Sequence, residues 1–132
     1  MDKMNYDLAG QIIGCAMKVH SALGPGFLES VYQNALVHEL RKAGLAVETE
    51  VRLEVRYDGV VVGTFDADVL VSKVLLVENK AVQVLATAHE VQLVNYLAAT
   101  GLDEGLMLNF GAARLEFKKK FRLYQPSANP LS

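Results

Sequence analysis

The stretch from Asp66 to Lys80, reading Asp-Ala-Asp-Val-Leu-Val-Ser-Lys-Val-Leu-Leu-Val-Glu-Asn-Lys, constrains the fold more than any other part of the chain. Two short apolar runs, Val69–Val71 and Val74–Val77, flank a polar step. Runs this short and this apolar predict central strands buried on both faces of a sheet. Yet Asp68, Glu78 and Lys80 stand at their ends. Taking a carboxylate out of water is costly unless a partner or a metal ion compensates it. The three charges are either ordinary strand-end ion pairs or the parts of a site.

Strand register separates those readings. Side chains alternate across a strand, so Glu78 and Lys80 share one face while Asn79 points to the other. A two-residue loop at Ser72-Lys73 sets Asp68 opposite Val77 and leaves Glu78 on the far face. A three-residue loop, Ser72 to Val74, sets Asp68 opposite Glu78, because one residue of slip flips every side chain. The sequence leaves both loops open. In the second, two carboxylates and a lysine converge at one end of a hairpin. Two carboxylates plus water suit Mg²⁺, which takes few protein ligands and keeps its waters. A neighbouring lysine is placed to activate water or neutralise a phosphoryl oxygen.

The 132 residues are enough for one domain with a real core and too few for two. With 52% hydrophobic and 21% charged residues, the chain reads as a compact globule. A net charge of −2 excludes a broad electrostatic grip on nucleic acid, so any such binding needs a local patch. The single cysteine, Cys15, excludes an internal disulfide or a cysteine-based zinc site and reads as a core thiol. No apolar run approaches a membrane span and no secretory segment opens the chain, which predicts a cytoplasmic protein that does not engage membranes.

Leu8, Ile12, Cys15, Val19 and Leu23 form a helical stripe over residues 7–23, closed by Gly24-Pro25-Gly26. A second helix is expected from about Phe27 to Ala43, its apolar face centred on Tyr32, Leu36 and Leu40. Glu29 falls in the middle of that face. It belongs either to a buried site or to the first turn, where the helix dipole favours an acid.

Val47 to Tyr57 alternates apolar with charged residues, a half-buried strand returned by Asp58-Gly59 through a separate strand at Val60–Val62. Thr87-x-x-Glu90 predicts a capping box opening a helix that ends near Thr100-Gly101. His89, Gln92 and Tyr96 line one side of that helix, either as part of a site or as its solvent boundary. Leu106–Phe110 predicts a buried strand, and Leu115 to Leu123 a last strand carrying Lys118, Lys120 and Arg122 on one face. Those bases are candidate phosphate contacts, or guards of an edge strand against aggregation. The expected order is α-α-β-β-β-β-α-β-β in one domain, residues 1–124, with a flexible tail at 125–132. It describes an α/β fold, a mixed sheet with helices on both faces.

Gly26-Phe27-Leu28-Glu29-Ser30-Val31-Tyr32 resembles the signature of the GxxExxY proteins, a branch of the PD-(D/E)xK nuclease-like superfamily. The resemblance extends through Asp68, Glu78-Asn79-Lys80, His89-x-x-Gln92-x-x-x-Tyr96 and Gly105–Gly111, nearly the whole chain apart from the tail. It implies a restriction-endonuclease-like core in which Asp68, Glu78 and the Asn79 backbone carbonyl hold Mg²⁺ or Mn²⁺. Lys80 would be the catalytic lysine, with Glu29 a further acid that both joins the metal ligands and takes part in catalysis, and Gln92 a polar helper; Tyr32, His89 and Tyr96 would support them. Asn79 departs from the pattern, since the family usually has an apolar residue such as Leu there; lost packing or a buried hydrogen bond is expected. The implied function is metal-dependent hydrolysis of phosphodiester bonds, in DNA or RNA. The alternative is a non-catalytic module that binds nucleic acid or protein on a nuclease-like fold. A homo-oligomer is left open.

Overall fold

The computed structural model describes residues 7–122; the expected tail at 125–132 and Leu123 lie outside the described residues. Helix α1 (Leu8–Leu23) starts at Asp7, whose carboxylate accepts the Gly10 N–H at 2.9 Å, a side-chain cap for an otherwise unpaired donor. Helix α2 (Glu29–Lys42) buries Tyr32, Leu36 and Leu40, the predicted stripe. Strands β1 (Val47–Tyr57), β2 (Val60–Val71) and β3 (Leu75–Lys80) follow, then α3 (Thr87–Thr100), β4 (Glu104–Asn109) and β5 (Glu116–Phe121).

The sheet order is β1-β2-β3-β4-β5. All neighbours are antiparallel except β3 and β4, which are parallel and joined through α3. A parallel pair needs such a crossover, whereas a hairpin does not. Helices α1 and α2 cover one face, over Val69, Val71, Leu75, Val77, Leu106, Leu108 and Phe110. Helix α3 covers the other, over Ala67, Leu76 and Met107. Gly105 allows that close approach, since a Cβ there would meet Leu93 Cδ1 at 3.0 Å. The α/β architecture with helices on both faces is the one expected.

Three local expectations need correction. The return strand and the Asp66–Val71 strand are one continuous element, β2, so the described residues form five strands and not six. Residue Thr87 does not cap α3; Ala86 holds the cap position, and His89 Nδ1 accepts its N–H at 3.3 Å. Glu90 pairs instead with Lys120 at 2.7 Å. Finally, Cys15 is half-buried on the flank of α1 against the core rather than within it.

Candidate metal centre

The β2–β3 loop fixes the site. Ser72 and Lys73 both adopt left-handed backbone conformations (φ 53° and 62°), and the Val74 N–H closes the turn on the Val71 carbonyl at 3.1 Å. The pairs Val71↔Leu75, Leu70↔Leu76 and Val69↔Val77 make this the three-residue loop. Continued by one step, that register places Asp68 across from Glu78. Side-chain contacts agree. The Asp68 carboxylate accepts the Asn79 N–H at 2.8 Å, and the Glu78 carboxylate accepts the Asp68 N–H at 3.3 Å. Each acid is thus held by the backbone of the strand bearing the other.

An irregularity in β2 frees Asp68 from both cores. Ala67 packs on the α3 side, yet Val69, two residues on, packs on the opposite side. The two-residue alternation is reset at Asp68. On β1, Glu50 lies between Thr49, paired with Val69, and Val51, paired with Ala67. It carries a φ of 52°, a conformation seldom adopted by a residue with a long side chain. Sequence alternation counted Glu50 among solvent-facing charges and gave no sign of its backbone. Yet its charge bears on Asp68, making it a neighbour of the site that the pattern missed.

Burial dominates the electrostatics. Glu78 is 9% exposed, and burial, reinforced by the Asp68 charge, pushes its carboxyl up to about 7. Asp68 is raised as well, first by burial, with Glu29 and Glu50 adding to the effect and the Asn79 N–H and Lys80 opposing it. Lys80 also favours the ionised form of Glu78. Its position two residues past Glu78 places it on the same strand face. Across the site, Tyr96 stacks on Phe65 with ring centroids 3.6 Å apart. Burial and the two acids raise the pKa of its phenol.

The other expected residues divide. Glu29 stands exposed in the first turn of α2, and its negative charge reaches Asp68 and Glu78 without a hydrogen bond to either. Tyr32 is fully buried, stacks on Phe110 at 4.8 Å, accepts the Phe27 N–H at 3.1 Å and donates to the Gly24 carbonyl. It therefore ties the glycine-rich turn to the helix that carries Glu29. Gln92 is exposed and makes no side-chain hydrogen bond among the described residues. His89 is committed to the helix cap. The basic cluster on β5 is largely engaged: Lys120 pairs with Glu90, and Arg122 with Asp103, both at 2.7 Å. Only Lys118 of the three expected phosphate contacts has no ion pair among the described residues.

Asn79 points towards the α1–α2 side, between Val77 and the end of β3, with 1% exposure. Both atoms of its amide lack a hydrogen-bond partner among the described residues. Of the two expected outcomes, lost packing or a buried hydrogen bond, the second is not found among the described residues, and a buried unsatisfied amide costs about 1–3 kcal/mol. Asn79→Leu, near in shape and apolar, is accordingly expected to raise the midpoint of urea unfolding. A midpoint equal to or below that of the parent would show that the amide has a partner in solution.

The arrangement suits a hard cation. Two adjacent carboxylates are withdrawn from water, hold raised pKa values and have no ion-pair partner among the described residues. Oxygen donors of this kind are the ligands Mg²⁺ and Mn²⁺ prefer. No group of three or more His, Cys, Asp or Glu side chains is arranged to hold a metal among the described residues. A metal here would rest on two carboxylates, a backbone carbonyl and water.

Comparison with known proteins agrees with the fold. A solved structure titled "Crystal structure of SSO0001" superposes with a TM-score of 0.56 at 18% identity, over 75% of this chain. The chain spans about half of that protein, 52% of its length. No curated protein matches the chain. No described helix is long and apolar enough to cross a membrane. The family model described as PD-(D/E)XK nuclease superfamily matches residues 6–120, which include Asp68, Glu78 and Lys80. Nucleases of that superfamily generally use divalent metals. The chain belongs to the PD-(D/E)XK nuclease superfamily.

Proposed function

We propose that the protein is a Mg²⁺- or Mn²⁺-dependent nuclease of the GxxExxY branch, hydrolysing phosphodiester bonds of nucleic acid. The observation that carries this reading is the cross-strand pair Asp68–Glu78, largely withdrawn from water, without an ion pair among the described residues and with Lys80 on the same strand face. Asp68, Glu78 and the Asn79 carbonyl would hold the ion, which when bound polarises the scissile phosphate and acidifies water. Lys80 neutralises charge that builds on the phosphoryl oxygens and takes part in water activation. Glu29, expected as a further ligand, stands exposed with its charge reaching both acids, which favours a contact with the ion through water over a direct one. Gln92, on the exposed side of α3, meets substrate rather than metal.

A second reading, a binding module on a nuclease-like fold, is favoured by the engagement of Lys120 and Arg122 in ion pairs and by the net charge of −2. A phosphate-binding surface draws on unpaired cations, and seven of the twelve described Lys and Arg side chains are held in ion pairs. One experiment separates the two. Single-stranded and duplex DNA and RNA are incubated with wild type and Lys80→Ala, with Mg²⁺, Mn²⁺ or EDTA. Cleavage that needs the ion and falls at least about 10²-fold in the variant is expected for a nuclease. In parallel, millimolar Mn²⁺ should raise the melting temperature of wild type by binding the folded state. Binding without cleavage under every condition, or cleavage equal in the two proteins, overturns the nuclease reading.

A further inference from the structure

The chain beyond Lys80 is gripped in a way the proposed chemistry does not by itself explain. Lys80 is the last residue of β3, and strand ends fray unless something holds them. Its carbonyl accepts the Phe110 N–H at 2.9 Å. Two residues on, the Val82 N–H donates to Asn109 Oδ1 at 3.0 Å. That same oxygen accepts the Gly111 N–H at 3.0 Å, and Asn109 Nδ2 donates to Glu116 Oε1 at 2.8 Å. Asn109 is fully buried, stands beside Lys80 in the parallel register, and has both amide atoms satisfied. Asn79, on the neighbouring strand and almost as buried, satisfies neither. The contrast marks Asn109 as part of a completed polar network.

We infer that Asn109 is a positioning residue for Lys80, fixing the backbone on the C-terminal side of the lysine so that its amine stays directed at Asp68 and Glu78. The inference rests on the nuclease reading. A side chain on a four-carbon stem reaches a defined point only if its own backbone is fixed, and a misplacement of about 1 Å at a reacting group can cost roughly 10²-fold in rate. Glu116 acts one step further out, holding the Asn109 amide in the orientation that aims its oxygen at Val82.

The test uses steady-state kinetics on five proteins: wild type, Asn109→Leu, Lys80→Ala, the two combined, and Asn109→Asp/Glu116→Gln. In the last, the new carboxylate accepts both backbone N–H groups and the new amide donates back to it, so the network is kept with its polarity reversed. Asn109→Leu is expected to lower kcat by about 10²-fold while leaving KM nearly unchanged. Added to Lys80→Ala it should cost nothing further, because residues that act as a unit are not additive. The reversed pair should recover most of the loss. If Asn109→Leu does not fold, Asn109→Ser carries the same comparison. Equal fold losses with and without Lys80, or wild-type kcat in the folded variant, overturns the inference.

A further readout holds even if wild type proves inactive, which would refute the nuclease reading on its own. The Lys80 amine is labelled with acetic anhydride and its rate followed by mass spectrometry. Asn109→Leu should speed labelling several-fold and the reversed pair should restore the slow rate. An unchanged labelling rate in the folded variant overturns the positioning role independently of catalysis.

Discussion

Glu78→Gln is expected to make the metal-free protein more stable than wild type at pH 8 and no more stable at pH 4. The folded carboxyl titrates at about 7 against an ordinary 4.5, because it is buried and faces Asp68. Between those values the folded chain binds a proton that the unfolded chain has released, so stability falls as pH rises. The loss is complete above pH 7 and absent well below 4.5. Moving a carboxyl that far disfavours its ionised form by roughly 3 kcal/mol. The neutral amide escapes that penalty, so in EDTA the variant should melt roughly 10 °C higher at pH 8. Melting curves across pH give the answer. Parallel curves for the two proteins would mean that Glu78 is not withdrawn from water.

Gly111→Ala should destabilise the chain strongly. A Cβ on Gly111 would lie 2.5 Å from the Ala81 carbonyl carbon, and equally close to the Val82 carbonyl oxygen. Those are backbone atoms, so no side chain can swing aside to relieve the clash. Either the β4–β5 turn or the segment after Lys80 has to move. Overpacking of this kind typically costs 1–3 kcal/mol, and about 3 is expected here because two backbones collide. Urea unfolding measures it directly. A loss below about 1 kcal/mol would show that the two segments are not in contact in solution.

Much of this was legible in the residues. The helical stripes of α1 and α2 and the misfit of Asp68 and Glu78 on apolar strands follow from periodicity and burial cost. The three-residue loop was one of two registers the sequence allowed, and the left-handed Ser72 and Lys73 that select it carry no compositional mark. The expected separate strand at Val60–Val62 is the start of β2, where all three valines are exposed on a long hairpin arm. The capping box at Thr87 failed because His89 supplies a local hydrogen bond that the pattern for Ser or Thr overlooks. The ion pairs that occupy Lys120 and Arg122 depend on β5 lying beside α3 and the α3–β4 loop, a tertiary fact beyond any local pattern. Glu29 read equally as site acid or first-turn acid, and its exposed position at the helix start shows how one residue satisfies the second description while its charge still reaches the first.

The hairpin that joins Asp68 to Glu78 also bears on the order in which the site comes together. The bond between the two acid-bearing strands spans ten residues of chain, whereas the bond from Val82 to Asn109 spans 27 and waits on a parallel crossover. The longer closure carries an extra entropic cost of (3/2)RT ln(27/10), about 0.9 kcal/mol, before any contact rewards it. Short-range pairings form ahead of distant ones in a folding chain. The acid pair is thus a product of local closure, and the lysine's grip is a product of the completed fold. Closure cost alone therefore favours an order in which the carboxylates meet before the amine is fixed beside them.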